Sequence, residues 1–284
     1  MKTFKFLRIL FLAIFSLSII SCNNDDEDNG LLGSQASSSI PGDGNKKLVQ
    51  MNLINDGLDG AKYYFKYNEN GTLAEVTIFD CDEYDQIIET ISNNYYKWTA
   101  TELFLSHDKY SYESLCEISN GRIVRDSYLN KYMYDPNGYL ISRNRKGYDE
   151  SYTWEEGRLM SYELKYDGDG WGWTETLKYT YSPNSNKMSN GFFPNIIMCN
   201  DNYHEDFFSV PWVIGMEQQD LPQEIEREYK NWSTAGGSST IFSKYVYDYT
   251  FYDDGYLKSC TERVSSSSET EYTQYTQVFE YFWE

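Results

Sequence analysis

Alternating aromatic and polar positions run through much of the chain and predict β-strands. Between Lys244 and Phe251, for example, every second residue is Tyr or Phe, and Lys, Val, Asp and Thr stand between them. Side chains two residues apart share one face of a strand, so this alternation gives one aromatic face and one mixed face. The pattern is typical of half-buried strands in an antiparallel sheet.

The strands are predicted to come in hairpins, because the motif aromatic-x-aromatic-x-x-x-Gly-x-Leu recurs. Full copies are Phe65–Leu73, Tyr132–Leu140 and Tyr249–Leu257, and shorter variants are Tyr152–Leu159, Ile118–Ile123 and Tyr179–Asn184. The Gly of the motif, with Asn or Asp before it in several copies, tolerates the positive φ angles that hairpin turns need. Each turn is therefore predicted by its own local sequence.

The predicted fold is all-β, an antiparallel meander of repeated hairpins. A single hairpin cannot bury its aromatic face, so successive hairpins must pair into one sheet. Roughly a dozen strands would curl such a sheet into a barrel-like or strongly curved form. The alternation breaks near residues 191–225, where apolar pairs and three prolines predict a partly helical or irregular insertion. The insertion is expected to plug or cover the end of the sheet, and a ligand-lined loop is the alternative.

The first residues have the pattern of a secretory signal, with three basic residues before an apolar run that ends at Ile20. The run is shorter than the ~20 residues that a spanning helix needs. The segment Ile19-Ile20-Ser21-Cys22 resembles the lipobox of bacterial lipoproteins. This resemblance implies that residues 1–21 are a lipoprotein signal peptide and that Cys22 carries a lipid anchor. Ordinary signal cleavage, with Cys22 as an incidental thiol, is the alternative.

An acidic stretch follows Cys22 and is succeeded by Gly- and Ser-rich sequence. Such composition predicts a solvated, flexible tether over residues 22–45, and leaves residues 46–284 as one domain. The acidic stretch resembles the tract that routes lipoproteins of Bacteroidetes-type bacteria to the outer face of the outer membrane. The resemblance implies a lipid-anchored protein of the outer membrane that faces the cell surface.

Two family resemblances rest on the hairpins. The Tyr-Asp-x-x-Gly-x-Leu core at Tyr134–Leu140 is similar to the YD repeats of large secreted bacterial proteins. The combination of lipobox, acidic start, Tyr-rich hairpins and the apolar stretch Trp212–Met216 before Leu221-Pro222 resembles an uncharacterised family of Bacteroidetes surface lipoproteins. That family has a domain of unknown function with a porin-like fold. The resemblance covers residues 46–284 and implies a porin-like fold and a surface location, without an enzymatic role.

Charge excludes one class of partner. The chain has 24 basic and 44 acidic residues, a formal charge of −20, and no cluster of Lys and Arg large enough to track a phosphate backbone. Nucleic acid is therefore not expected as a partner. Anionic lipid surfaces are disfavoured for the same reason.

Four cysteines follow the lipobox: Cys81, Cys116, Cys199 and Cys260. Their spacing contains no CxxC motif, so a zinc site is not predicted. Export permits disulfides, but isolated cysteines on strands are often small buried hydrophobes. The sequence leaves their pairing open.

Catalytic chemistry is poorly represented. His107 and His204 are the only histidines, and no nucleophile elbow, phosphate loop or dinucleotide fingerprint occurs. No catalytic residue, metal site or cofactor is predicted. Asp167–Gly172 partly resembles a calcium loop, but its later positions favour a hairpin turn. A carboxylate pair of the glycosidase class remains an alternative among so many acidic residues.

Trp171 and Trp173 are the candidate ligand-binding residues, because aromatic rings exposed on a Gly-rich loop mark binding surfaces. The more conservative interpretation is that both pack inward as strand residues. The sequence thus favours a surface-exposed lipoprotein that acts as a non-enzymatic binding or structural module, with a glycan or an envelope protein as ligand. The alternatives are a glycosidase-class hydrolase and an integral transmembrane barrel, which the polar outward positions disfavour.

Overall fold

The computed structural model describes residues 46–55, 58–69, 72–82, 84, 86–182, 220–268 and 271–284. The signal peptide, Cys22, the tether, Cys199, His204 and residues 191–219 of the predicted insertion lie outside this part of the chain. No helix within the described ranges is long and apolar enough to cross a membrane. The described remainder of the insertion reaches the barrel through a bridge at Asp220 and enters a strand at Glu224.

The described chain is all β. Its strands are β1 (Leu48–Asn55), β2 (Leu58–Tyr67), β3 (Leu73–Cys81), β4 (Ile87–Trp98), β5 (Glu102–Ser106), β6 (Glu113–Ser119), β7 (Arg122–Asp126), β8 (Lys131–Tyr134), β9 (Leu140–Arg145), β10 (Tyr148–Glu155), β11 (Arg158–Gly168), β12 (Trp171–Thr180), β13 (Glu224–Ser233), β14 (Gly237–Phe251), β15 (Leu257–Ser267) and β16 (Tyr272–Trp283).

These strands form one closed antiparallel barrel in which each strand pairs with its neighbours in sequence. The first and last strands complete the closure, with Met51 opposite Tyr281 and the Glu284 N–H donating to the Lys47 carbonyl at 2.8 Å. The predicted antiparallel meander is confirmed. The described residues contain sixteen strands, more than the dozen expected from the turn motifs.

The barrel has two ends that differ in their turns. At the terminal end, where β1 begins and β16 ends, each even-numbered strand connects to the next odd-numbered one, and the repeated Gly-x-Leu turns lie here. At the opposite end, called the mouth, each odd-numbered strand connects to the next even-numbered one. The repeat therefore covers six hairpins of the terminal end, and it leaves out β1, β16 and the hairpin of β4 and β5, whose turn contains no Gly.

Inward side chains from all the described strands pack together inside the barrel. Every strand contributes at least one residue to a single buried hydrophobic cluster, and Phe279 and Tyr281 within it are fully buried. By comparison, a round barrel of 16 strands is wide enough to enclose a water-filled channel like that of porins. The alternation read from sequence is confirmed, since Tyr245 and Tyr247 point inward and are buried whereas Lys244 is exposed on the outer wall.

Aromatic side chains fasten consecutive hairpins together at the terminal end. The Trp154 indole N–H donates to the carbonyl of Leu140 (2.8 Å), and Trp283 binds Leu257 in the same way (2.7 Å). Equivalent bonds to strand-initiating carbonyls come from Tyr67, Trp98, Tyr134 and Tyr181. The Leu of the motif is thus a buried anchor whose carbonyl accepts from the next hairpin, at a net gain of about 0.5–1.5 kcal/mol per bond.

Glycine and aspartate are prominent among the residues that make the turns. Asn120 and Gly121 have φ angles of 51° and 73°, the left-handed pair that a two-residue hairpin requires. Other turns use an aspartate instead: the carboxylate of Asp108 accepts the backbone N–H groups of Tyr110 and Ser111, and these bonds hold its pKa far below the usual value. The Asp108 turn contains no Gly and therefore does not match the motif.

The described cysteines are buried thiols. Cys81, Cys116 and Cys260 lie in the interior and form no disulfide. Burial raises the pKa of the Cys116 thiol to about 12, so the thiol stays protonated near neutral pH. Of the two interpretations that the sequence left open, the small buried hydrophobe fits these three residues.

Candidate functional site

Trp171 and Trp173 lie at the mouth, where they are the first and third residues of β12. The Asp169-Gly170 turn connects β11 to β12, so the segment that resembled a calcium loop is a hairpin turn. Both tryptophans occupy the inward face, which they share with buried Leu177. Trp173 is half-buried against the core, whereas Trp171 at the rim is 49% exposed.

The two tryptophans belong to a larger aromatic group at the rim, which we call the mouth cluster. Its members are Arg145, Tyr148, Tyr166, Trp171, Trp173 and Tyr229. Ring centroids are 4.5 Å apart between Tyr166 and Trp171 and 5.0 Å apart between Tyr148 and Tyr166. The Arg145 guanidinium lies 4.0 Å from the centre of the Tyr148 ring, within the range of a cation–π contact.

Strand register brings these rings together. Tyr148 lies opposite Tyr166, and Tyr166 lies opposite Trp173, so one rung of the sheet carries three aromatic side chains across three strands. Gly168 leaves room for them, because a Cβ at this position would come within 2.6 Å of the Tyr166 hydroxyl. The cluster is a preformed surface whose rings support one another.

A buried ion pair lies on the inward faces of β9 and β10. The Arg143 guanidinium binds the Glu150 carboxylate at 2.8 Å, both side chains are buried, and Tyr152 donates its hydroxyl to the same carboxylate. Burial by itself lowers the pKa of Arg143, but the adjacent Glu150 outweighs this and holds the pKa above its usual value. Burial also raises the pKa of Tyr152. Arg143 therefore stays charged, and the two carboxylate oxygens of Glu150 are bound by Arg143 and Tyr152.

A second ion pair joins the neighbouring strands. Glu175 of β12 is buried and accepts from the Arg227 guanidinium of β13, which also lies 5.5 Å from the Tyr229 ring centre. These pairs leave Glu150 and Glu175 neutralised by arginine inside the wall. Neither carboxylate is placed to act as the general acid or base of a glycosidase, which must reach the scissile oxygen.

Other polar candidates do not converge on the mouth cluster. His107 is exposed and its Nδ1 lies 2.9 Å from the amide oxygen of Asn94. Among the described residues, no group of three or more His, Cys, Asp and Glu side chains is arranged to hold a metal ion. The chemistry that the mouth offers is therefore stacking on aromatic rings and hydrogen bonding to an arginine.

Sequence reasoning found two members of the mouth cluster and missed the rest. Tyr166 lies only five residues before Trp171, whereas the others lie far from the tryptophans in sequence and reach them through register: Arg145, Tyr148 and Tyr229. A signal was present, since Arg145 and Tyr148 flank the Lys146-Gly147 turn and Tyr166 precedes the Asp169-Gly170 turn, on the same end of the barrel. Assigning each turn to an end of the sheet would have grouped them.

Comparison with known proteins identifies the fold class. No family model matches the sequence, and no curated protein matches it. Among solved structures, a porin-like protein from Bacteroides uniformis ATCC 8492 superposes with a TM-score of 0.58 at 13% identity, over 84% of this chain and 96% of that one. A porin-like protein from Bacteroides vulgatus ATCC 8482 gives a TM-score of 0.35 at 9% identity, over 84% of this chain and 98% of that one.

The chain is thus a closed β-barrel of porin-like fold. The B. uniformis likeness confirms the fold that the lipoprotein resemblance implied. At this level of identity the likeness concerns architecture alone, and function has to be argued from the residues of this chain.

Proposed function

We propose that this protein is a lipid-tethered barrel of a Gram-negative outer membrane that binds a glycan at its mouth without catalysing a reaction on it. The observation that carries the proposal is the Trp171 ring, which is exposed at the rim and packed against Tyr166 at a centroid distance of 4.5 Å. A sugar ring presents an apolar C–H face and a polar edge. An aromatic platform next to a hydrogen-bond donor complements both, and Arg145 supplies the donor.

Preorganisation strengthens this proposal. Ring contacts with Tyr148, Tyr166 and Tyr229 fix the two tryptophans before any ligand arrives. Ordering a free side chain at an interface costs about 0.5–1.5 kcal/mol, and a platform that is already ordered avoids most of this cost. A surface aromatic without such support would bind more weakly.

The polar side chains of the outer wall support the proposal that the barrel is surrounded by water. Outward positions from β10 to β12 are occupied by Ser151, Thr153, Glu163, Lys165, Thr174 and Thr176. A lipid-facing band of about 25 Å would need apolar residues on every strand. With lipid on Cys22 and residues 22–45 as a tether, the barrel needs no lipid-facing band to remain at the membrane.

The second candidate is an integral transmembrane barrel, which the porin-like fold favours. The two candidates differ in what releases the protein from membranes. If lipid on Cys22 is the attachment, Cys22→Ser will move the protein from the membrane fraction to a detergent-free supernatant, and labelled palmitate will be incorporated only into the unsubstituted chain. If Cys22→Ser stays in the membrane until detergent is added, the integral barrel is the better description.

Glycan binding is tested with the mature chain carrying Cys22→Ser, screened on an array of neutral and acidic oligosaccharides and then by calorimetry. Trp171→Ala is expected to weaken binding of the array hits about tenfold, a change of about 1.4 kcal/mol, whereas Trp171→Phe retains most of it. Tyr110→Ala is the matched control, because Tyr110 is 87% exposed on a different mouth turn. An array without a hit, or hits indifferent to Trp171→Ala, would contradict the proposal.

A further inference from the structure

An open cleft of about 350 Å³ crosses the outer wall of the barrel over strands β12 to β16. It lies on the opposite side of the sheet from the mouth cluster. Its outward lining comes from two neighbouring rungs of the sheet, each made of side chains directly opposite one another on adjacent strands. The two rungs differ in chemistry, since one bears two aromatic rings and Glu228, and the other bears side chains of both charges.

The aromatic rung places Phe242, Ser267 and Tyr272 side by side on β14, β15 and β16. Phe242 is 53% exposed and Tyr272 is 66% exposed. Neighbouring strands are about 4.8 Å apart, so the two aromatic residues stand about 10 Å from each other with only a serine between them. A flat ring in van der Waals contact with both sides needs about 7–8 Å, so the gap accommodates one such ring.

The charged rung lies alongside. Lys178, Glu226 and Lys244 follow one another on β12, β13 and β14, and Ser265 continues the row on β15. Lys244 also pairs with Glu224 at 2.7 Å. Positive and negative side chains alternate here, although the chain as a whole carries a charge of −20. The rung offers hydrogen-bond donors and acceptors in a locally balanced field, which suits a neutral polyhydroxylated ligand.

Folding does not account for the two exposed rings. The inward face of these strands has its own buried rings, such as Tyr245, Tyr247 and Phe279, and the outward rings contribute little further burial. Large apolar side chains exposed beside a concave polar surface are typical of binding sites. The small side chain of Ser267, which stands between the two rings, leaves the space between them open.

We propose that this outer-wall cleft is a second saccharide site, which takes one neutral pyranose ring between Phe242 and Tyr272 and holds its hydroxyl groups with the Lys178, Glu226 and Lys244 row. The proposal is independent of the mouth cluster, because the two surfaces share no residue. A protein with both sites would hold a long glycan at two points.

The test uses the mature chain with Cys22→Ser and hexasaccharides of β-1,4-linked glucose, xylose and mannose and of β-1,3-linked glucose, with calorimetry and chemical-shift mapping of selectively labelled Phe and Tyr. At least one hexasaccharide is expected to shift the Phe242 and Tyr272 signals. Phe242→Ala and Tyr272→Ala are each expected to weaken that binding about tenfold. Phe282→Ala, on the outer face of β16 away from the cleft, is the control and should leave affinity unchanged.

The outcomes separate the two proposed sites. Binding that is weakened by Trp171→Ala but not by Phe242→Ala or Tyr272→Ala would overturn the cleft proposal and leave the mouth site standing. Binding that is weakened by the cleft variants but not by Trp171→Ala would overturn the mouth-site proposal and leave the cleft site standing. Absence of binding to all four hexasaccharides, with native far-ultraviolet circular dichroism, would overturn the cleft proposal.

Discussion

Buried tyrosines make the barrel sensitive to alkali. Six phenols have pKa values well above the usual range, chiefly because burial penalises the phenolate: Tyr132, Tyr152, Tyr162, Tyr247, Tyr249 and Tyr281. In the unfolded chain each would ionise near pH 10. A group whose pKa is raised by folding contributes its full share of stability below the unfolded pKa and loses it as the pH rises towards the folded pKa.

The magnitude follows from linkage. Above about pH 10, each such phenol lowers the free energy of unfolding by about 1.4 kcal/mol per pH unit. The six together remove about 8 kcal/mol by about pH 11, which is comparable to the whole stability of a typical domain, about 5–15 kcal/mol. The barrel is therefore expected to unfold cooperatively between about pH 10.5 and 12.

The assay follows phenolate absorbance and far-ultraviolet circular dichroism during one alkaline titration. Exposed tyrosines should ionise first with the fold intact, and the remaining phenols should ionise together with the loss of β signal. Tyr162→Phe removes one buried phenol, so the stability lost between about pH 8 and 11, measured by urea unfolding, should shrink by about 1.4 kcal/mol. Tyr110→Phe, at an exposed site, should change nothing. Complete tyrosine ionisation near pH 10 with an unchanged spectrum would refute the reasoning.

Three further predictions concern stability, each measured by urea unfolding of the Cys22→Ser chain. Trp154→Phe leaves the Leu140 carbonyl without its indole donor and should cost about 1–3 kcal/mol, and a cost near zero would mean that water replaces the donor. Arg143→Met strands a buried Glu150 and should cost about 3–5 kcal/mol, most of which the added change Glu150→Leu should restore. Gly138→Ala forces a Cβ onto a φ of 86° and should cost about 1–2 kcal/mol, whereas Gly138→Asn should cost less.

Local sequence was enough to predict the strands and the direction of their side chains. The alternation around Tyr245 and Tyr247 gave the correct inward face, because a period of two follows directly from strand geometry. The Asn120-Gly121 turn was readable for the same reason, since few residues other than Gly and Asn tolerate its φ angles. These features depend on neighbours in the chain and on no distant contact.

Closure and the binding surface depend on distant contacts. The mouth cluster arises because Tyr148, Tyr166 and Trp173 share one rung, and a shift of one residue in any hairpin would turn one ring to the other face. The outer-wall rung of Phe242 and Tyr272 has the same dependence on register. Strand number was underestimated because β1 and β16 lie outside the repeated hairpins, and because the turn between β4 and β5 is closed by the Thr99 hydroxyl and contains no Gly.

The pairing of β1 with β16 has a consequence for how the chain folds. The seam joins the first described strand to the last, so the barrel cannot close until almost the whole domain is available. A chain delivered N-terminus first therefore carries β1 with one unpaired edge until the end, exposed to pairing with other chains. Contacts this distant in sequence slow folding, so a chaperone that shields the edge of β1 is expected to help until β16 becomes available.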